Sequence, residues 1–223
     1  MNRLTASRCA VNIYRMTKPR RRRDTRQVLL EAAAVEFAVT GLQGTRVQAI
    51  VRRARVNERM IYHHFESKSG LYRAVLEAQW GDLAAAWAPA IENAMKVEPY
   101  AGLLSAFQVL IRHFLSRPLM LPLAMHEAMT GWKMIPPASL AQVPLPLRMM
   151  FKRGQRAGIF RGDLDFQALY LAVLGAVTTL GVLAPRFSDL RERAADSADV
   201  LPRLAERILR LVLDGALAPK PSP

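Results

Sequence analysis

The sequence predicts an all-α protein, and three observations carry that expectation. No stretch of the 223 residues alternates apolar and polar positions long enough to make a strand. Apolar residues recur at helical spacing instead, as in Leu29, Ala32, Ala33 and Phe37. Capping residues, glycines and prolines fall between these stripes and divide the chain into about nine helices.

Asp24 or Thr25 can cap the first helix, and Gly41 closes it as the residue after its C-cap. Thr45 is expected to cap a second, short helix that buries Val47, Ile50 and Val51. A turn at Arg55 and Val56 leads to Asn57, the N-cap of a third helix over 58–64. Ser67 caps a fourth, which carries Leu71, Tyr72, Val75, Leu76 and Trp80 and runs to about residue 87. Pro89 and Pro99 bracket the gap before a fifth helix over 101–116, and Pro118 and Pro122 open a sixth. Residues 131–146 hold four prolines and read as a loop. A seventh helix over 147–157, an eighth over 166–185 and a ninth over 199–213 follow. The expected organisation is a basic arm over 1–23, a DNA-binding head over 24–70 and a helical body over 71–223.

Charge is uneven along the chain. The net charge is +14; residues 1–80 hold 16 Lys and Arg against 6 Asp and Glu, whereas residues 81–223 hold 16 against 12. A basic end on a near-neutral, apolar remainder suits a polyanion-binding head on a buried body. The single cysteine, Cys9, argues against a disulfide framework or a cysteine metal cluster and fits a reducing cytoplasm. No apolar run in residues 1–23 resembles a signal peptide. Residues 166–185 carry no charge and are long enough to cross a bilayer. Gln167, Thr178, Thr179 and the acidic Asp163 and Asp165 argue instead for a helix buried in a core or at a subunit interface. Neither a phosphate loop, nor paired carboxylates in an apolar setting, nor a nucleophile constellation is present, so no enzyme, cofactor or metal is expected. His63 and His64 point about 100° apart on a helix and do not form a two-ligand metal site.

Residues 45–65, TRVQAIVRRARVNERMIYHHF, carry the functional signal. Two short capped helices joined by a turn form a helix-turn-helix, whose second helix enters the major groove of DNA. Burying Val47, Ile50, Val56, Ile61 and Phe65 leaves Arg46, Gln48, Arg52, Arg59, Tyr62 and His63 outward. Arginine and glutamine read guanine and adenine edges, and tyrosine and histidine hold phosphates. The same pattern also fits an amphipathic pair whose charged face only keeps it soluble.

Residues 25–80 resemble the DNA-binding head of the TetR family of transcriptional regulators. The resemblance lies in Thr25-Arg26, Leu29-Leu30, Ala32-Ala33, Phe37-Ala38, Gly41, Gly44-Thr45, the run Ile61-Tyr62-His63-His64-Phe65, Ser67-Lys68, Leu71-Tyr72 and Ala74-Val75. Gly154, Gly158 to Arg161 and Asp163-Leu164-Asp165 resemble the family's C-terminal part. The resemblance implies a cytoplasmic homodimer with a three-helix head and a larger body for ligand and partner. It places Thr45 and Arg46 beside a phosphate strand and Gln48, Arg59, Met60 and His63 near base edges, with Tyr62 and Lys68 as phosphate anchors; Asn57 and His64 are counted among the DNA-binding residues as well. Arg55 stands where the family usually has glycine, which puts the turn geometry in question.

In the body, Leu169, Val173, Ala176 and Leu180 form one stripe, and Leu171, Leu174, Val177 or Thr178, and Val182 form a second. With Leu204, Ile208 and Leu211 of the ninth helix, the first stripe is expected to face a twin subunit. A pocket is expected near Phe107, Leu110, His113, Met125, Met129 and Trp132, whose apolar character suits a small hydrophobic or aromatic effector. The function expected is a repressor released from palindromic double-stranded DNA by that effector. The alternative is a DNA-binding dimer with no small-molecule effector, controlled by a protein partner.

Overall fold

The computed structural model describes residues 24–81, 83–135 and 144–219. The expected arm over 1–23 and most of the proline loop lie outside the described residues. Among those described there are eleven α-helices and no strand. They are α1 (Thr25–Gly44), α2 (Val47–Ala54), α3 (Arg59–Phe65), α4 (Lys68–Trp80), α5 (Leu83–Ala94), α6 (Pro99–Leu115), α7 (Met120–Met129), α8 (Leu145–Arg156), α9 (Phe166–Leu183), α10 (Ser188–Asp196) and α11 (Val200–Asp214).

Two helices exceed the expectation. The fourth helix stops at Trp80, and α5 then runs straight through Pro89, which was expected to end it. An interior proline costs about 3 kcal/mol. The packing of Trp87, Ile91 and Ala94 in the body core offsets this, and the Trp87 indole N–H donates to the Ala106 carbonyl at 2.8 Å. The second, α10, contains no buried residue, so it left no apolar stripe to detect.

Two apolar cores divide the chain. Leu29, Phe37, Ile50, Ile61, Leu71, Tyr72 and Val75 centre the head, so α4 belongs to its packing. Leu103, Phe107, Leu110, Phe151, Phe160, Val173 and Leu209 centre the body. One body helix crosses between them: α7 sends Leu123 into the head core. It also aligns His126, whose Nε2 lies 3.2 Å from the Ala38 carbonyl, and Glu127, which accepts from the Tyr72 hydroxyl at 2.9 Å. At the far end of α4, Arg117 donates to the carbonyls of Ala78 and Gln79 at 2.8 and 3.1 Å. The head is therefore held at both ends of its last helix.

Three residues of the head have positive φ, Gly41, Arg55 and Glu66, and the first two have opposite chemistry. Gly41 has φ 67° and ψ 179°, kinks α1, and would bring a Cβ to 2.9 Å from His126 Nδ1. Arg55 caps α2 at φ 56° and ψ 42°, a left-handed conformation that glycine adopts without cost. Arg55 therefore holds a left-handed backbone conformation against the preference of its side chain, and the turn carries that strain. Arg55→Gly should raise stability by about 1 kcal/mol, whereas Gly41→Ala should lower it by about 1–3 kcal/mol. Urea unfolding of the two variants checks both signs; equal signs would contradict the reading.

Candidate nucleic-acid interface

The two short helices present one face to solvent because their other face is consumed by packing. Ile50 and Ile61 are fully buried, and Val47 and Val56 pack against the same core. Arg46, Gln48, Arg52, Arg59, Tyr62 and His63 are all exposed, as their spacing predicts. The turn is fixed by the Val56 N–H donating to the Val51 carbonyl at 3.2 Å. Asn57 Oδ1 then accepts from the Arg59 N–H at 2.9 Å and starts α3. Asn57 thus caps α3 through its acceptor, and a phosphate would be met by its Nδ2 donors.

The end of α3 is set by contact with α4. Ser67 Oγ accepts from the Gly70 N–H at 2.9 Å, and a Cβ at Gly70 would collide with the Phe65 carbonyl oxygen. This close approach, with Arg26 stacked 5.2 Å from the Phe65 ring centroid, locks the recognition helix to its support.

Four expected DNA contacts are placed differently. Thr45 does not cap α2; Arg46 occupies that position without a side-chain bond. Thr45 is 4% exposed, and its hydroxyl donates back to the Gly41 carbonyl at 2.7 Å. It staples the kink, leaving the N-terminus of α2 to Arg46. Lys68 Nζ donates to the Thr45 carbonyl at 2.9 Å, tying α4 to the same corner. Met60 is half-buried against the head core. His64 is half-buried too, its ring edge-on to His63 and near Phe65, with Nε2 shielded from solvent. Arg53 is held by Glu36 at 2.6 Å. The groups left facing outward include Arg46, Gln48, Arg52, Arg55, Asn57, Arg59, Tyr62 and His63. Half of the 16 cations in residues 1–80 lie in residues 1–23, outside the described part.

The six expected pocket residues do not line a common cavity. Phe107 and Leu110 are packed solid in the body core, and His113 sits half-buried beside Phe114. Met125 is half-buried, while Met129 and Trp132 are exposed, Trp132 with a positive φ of 58°. An apolar cavity of about 380 Å³ opens elsewhere, between the end of α6, the start of α7 and α9, α10 and α11. Leu115, Leu121, Val177, Leu180, Leu190 and Ala194 line it. Its signal in the sequence was faint because one wall is α10, a helix with no apolar stripe.

The expected subunit contact is also turned on its axis. Leu169, Val173 and Leu180 are 4%, 1% and 5% exposed within one protomer, so they are core residues and face no partner. Ala176, Leu204 and Ile208 are half-buried, and Leu211 is 74% exposed. The outward face of α9 is instead Ala168, Leu171, Ala172, Gly175, Thr179 and Val182. It is uncharged, and apolar except at Thr179. By length and composition α9 could cross a membrane, at a mean hydropathy of 1.8.

Comparison with known proteins agrees with this architecture. Residues 29–75 match the bacterial regulatory proteins of the tetR family, and residues 99–212 match the tetracyclin repressor-like C-terminal domain. The HTH-type transcriptional repressor SCO4008 of Streptomyces coelicolor is 40% identical over 60 residues, covering 27% of this chain and 31% of that repressor. The HTH-type transcriptional repressor NicS of Pseudomonas putida is 29% identical over 152 residues, covering 67% of this chain and 72% of NicS. Among solved structures, the ketosteroid transcriptional regulator KstR2 of Mycobacterium tuberculosis superimposes with a TM-score of 0.64 at 21% identity, covering 89% of this chain and 97% of KstR2. A mutant of the regulator HlyIIR superimposes with a TM-score of 0.61 at 22% identity, covering 88% of this chain and 98% of that one. With both its head and more than half its length matched, the chain belongs to the TetR family of DNA-binding transcriptional regulators.

Proposed function

We propose that the chain is a cytoplasmic repressor that binds a palindromic operator as a homodimer and releases it when a small apolar molecule enters the body. The observation that carries the DNA step is the shared exposure of Arg46, Gln48, Arg59, Tyr62 and His63 across two helices whose inner faces are buried. Arg59 and Gln48 suit base edges, and Arg46, Tyr62 and the N-terminus of α3 suit phosphates.

Dimerisation is supported by the apolar outward face of α9 beside Leu204, Ile208 and Leu211 of α11. Left open in a monomer, such a face is an aggregation hazard; against a twin, it closes with two-fold symmetry. That symmetry would set two recognition helices about 34–36 Å apart, one turn of the duplex. It also accounts for an apolar α9 without a bilayer.

The effector step is supported by the cavity against α10. Leu121 and Pro122, in the first turn of α7, line it, and the last turn of α7 holds the head through His126 and Glu127. Arg117, also on the wall, grips the end of α4. A ligand that displaced α7 would reach the head at two points. A preference of about 10- to 100-fold for the displaced form, about 1–3 kcal/mol, is enough to release DNA.

Selection of bound sequences from random DNA tests the first two steps together. The wild type should return a palindrome, and Arg59→Ala should relax it at the cost of about 1–3 kcal/mol per lost base contact. Leu171→Glu should give a folded monomer that selects no palindrome, whereas Val173→Asp should fail to fold. An unrelated or absent consensus would overturn the DNA reading, and a dimer surviving Leu171→Glu would overturn the interface. For the effector step, Ala194→Trp should fill the cavity, abolish induction and leave operator affinity within about 0.5 kcal/mol of wild type. Unchanged induction would favour a regulator governed by a protein partner.

A further inference from the structure

We infer that the cleft between head and body is a second binding site, built to take a small organic ammonium ion with an apolar body. The cleft measures about 340 Å³ and is walled by Thr40 and Gly41 of α1, Tyr72 of α4 and His126, Glu127 and Met129 of α7. It shares no lining residue with the apolar cavity against α10.

Glu127 determines its chemistry. Glu127 is 2% exposed, yet among the described residues the donors to its carboxylate are neutral: the Tyr72 hydroxyl at 2.9 Å to Oε1 and the Met134 N–H at 2.9 Å to Oε2. Among the described residues no cation pairs with it. A carboxylate offers about four acceptor positions, so two stay open. A buried charge with no opposite charge is a costly arrangement, and a partner that brings one is bound preferentially. The Tyr72 phenol is held well above its ordinary pKa, first by burial and then by the neighbouring carboxylate, so it stays a neutral donor.

The remaining wall agrees with a cation. His126 is engaged through Nε2 with the Ala38 carbonyl, leaving its ring as a flat side. Lys133 lies on the lining but is exposed, and it forms no bond to Glu127. Thr40, Gln43 and Thr130 add neutral polar groups, and Leu42, Met129 and Met134 supply an apolar side able to fit an irregular body. An anion would be repelled by Glu127, and a neutral ligand would leave its charge uncompensated. An ammonium donates up to three hydrogen bonds and supplies the missing charge.

Calorimetric titration of the full chain without DNA tests this site, so its failure is separable from failure of the repressor reading. The probes are phenethylammonium and 2-phenylethanol, which share one shape and differ in charge. The ammonium should bind at least about tenfold more tightly than the alcohol, and Glu127→Gln should erase the difference. Met129→Trp, at an exposed rim position, should weaken the ammonium while leaving the fold intact. Equal binding of the two probes, no binding of either, or discrimination that survives Glu127→Gln would overturn the proposal. So would undiminished binding to Met129→Trp.

Discussion

The hydrogen bond from the Tyr72 hydroxyl to Glu127 joins the two cores of this chain, and much else is arranged around it. Tyr72 is buried in the head, edge-on to Phe37 with ring centroids 4.8 Å apart, while Glu127 rides on a body helix. Tyr72 is 1% and Glu127 2% exposed, so separating them would leave the Tyr72 hydroxyl and one Glu127 oxygen without their partner. The head can therefore move only as α7 and α4 allow. Leu123 inserted in the head core and His126 beneath the Gly41 kink extend the same joint across the width of α1.

This anchoring explains why several polar residues of the head face inward. Thr45 and Lys68, expected at the DNA, also build the corner where α1 kinks into α2. Arg55 takes a conformation that disfavours any side chain, because the Val56 N–H must reach Val51 for the turn to close. What remains outside is a short set of side chains on two helices too small to be stable alone; α3 has seven residues. Their precision is borrowed from α1 and α4.

The head was largely legible in the sequence because short amphipathic helices write their inner and outer faces directly into spacing. Ile50, Ile61 and Phe65 were placed inside and Arg46, Gln48 and Arg59 outside on that basis alone. The body was less legible for physical reasons. Helix α9 is apolar on every side, so spacing could not tell the core stripe of Leu169 and Val173 from the outward stripe of Leu171 and Val182. Pro89 read as a stop because propensity is local, whereas the packing of Trp87 on α6 is not. The cleft at the joint needed Tyr72 and Glu127 to meet across 55 residues, a pairing that a single sequence does not reveal.

The claim that the Tyr72–Glu127 contact couples head to body is tested most directly by a double-mutant cycle. Tyr72→Phe, Glu127→Leu and the double variant would be unfolded in urea alongside the wild type. The account predicts non-additivity of at least about 1 kcal/mol, because each single change leaves a buried partner unsatisfied. Effects that add to within about 0.3 kcal/mol would contradict it and reduce the contact to a neighbour relation without energetic consequence.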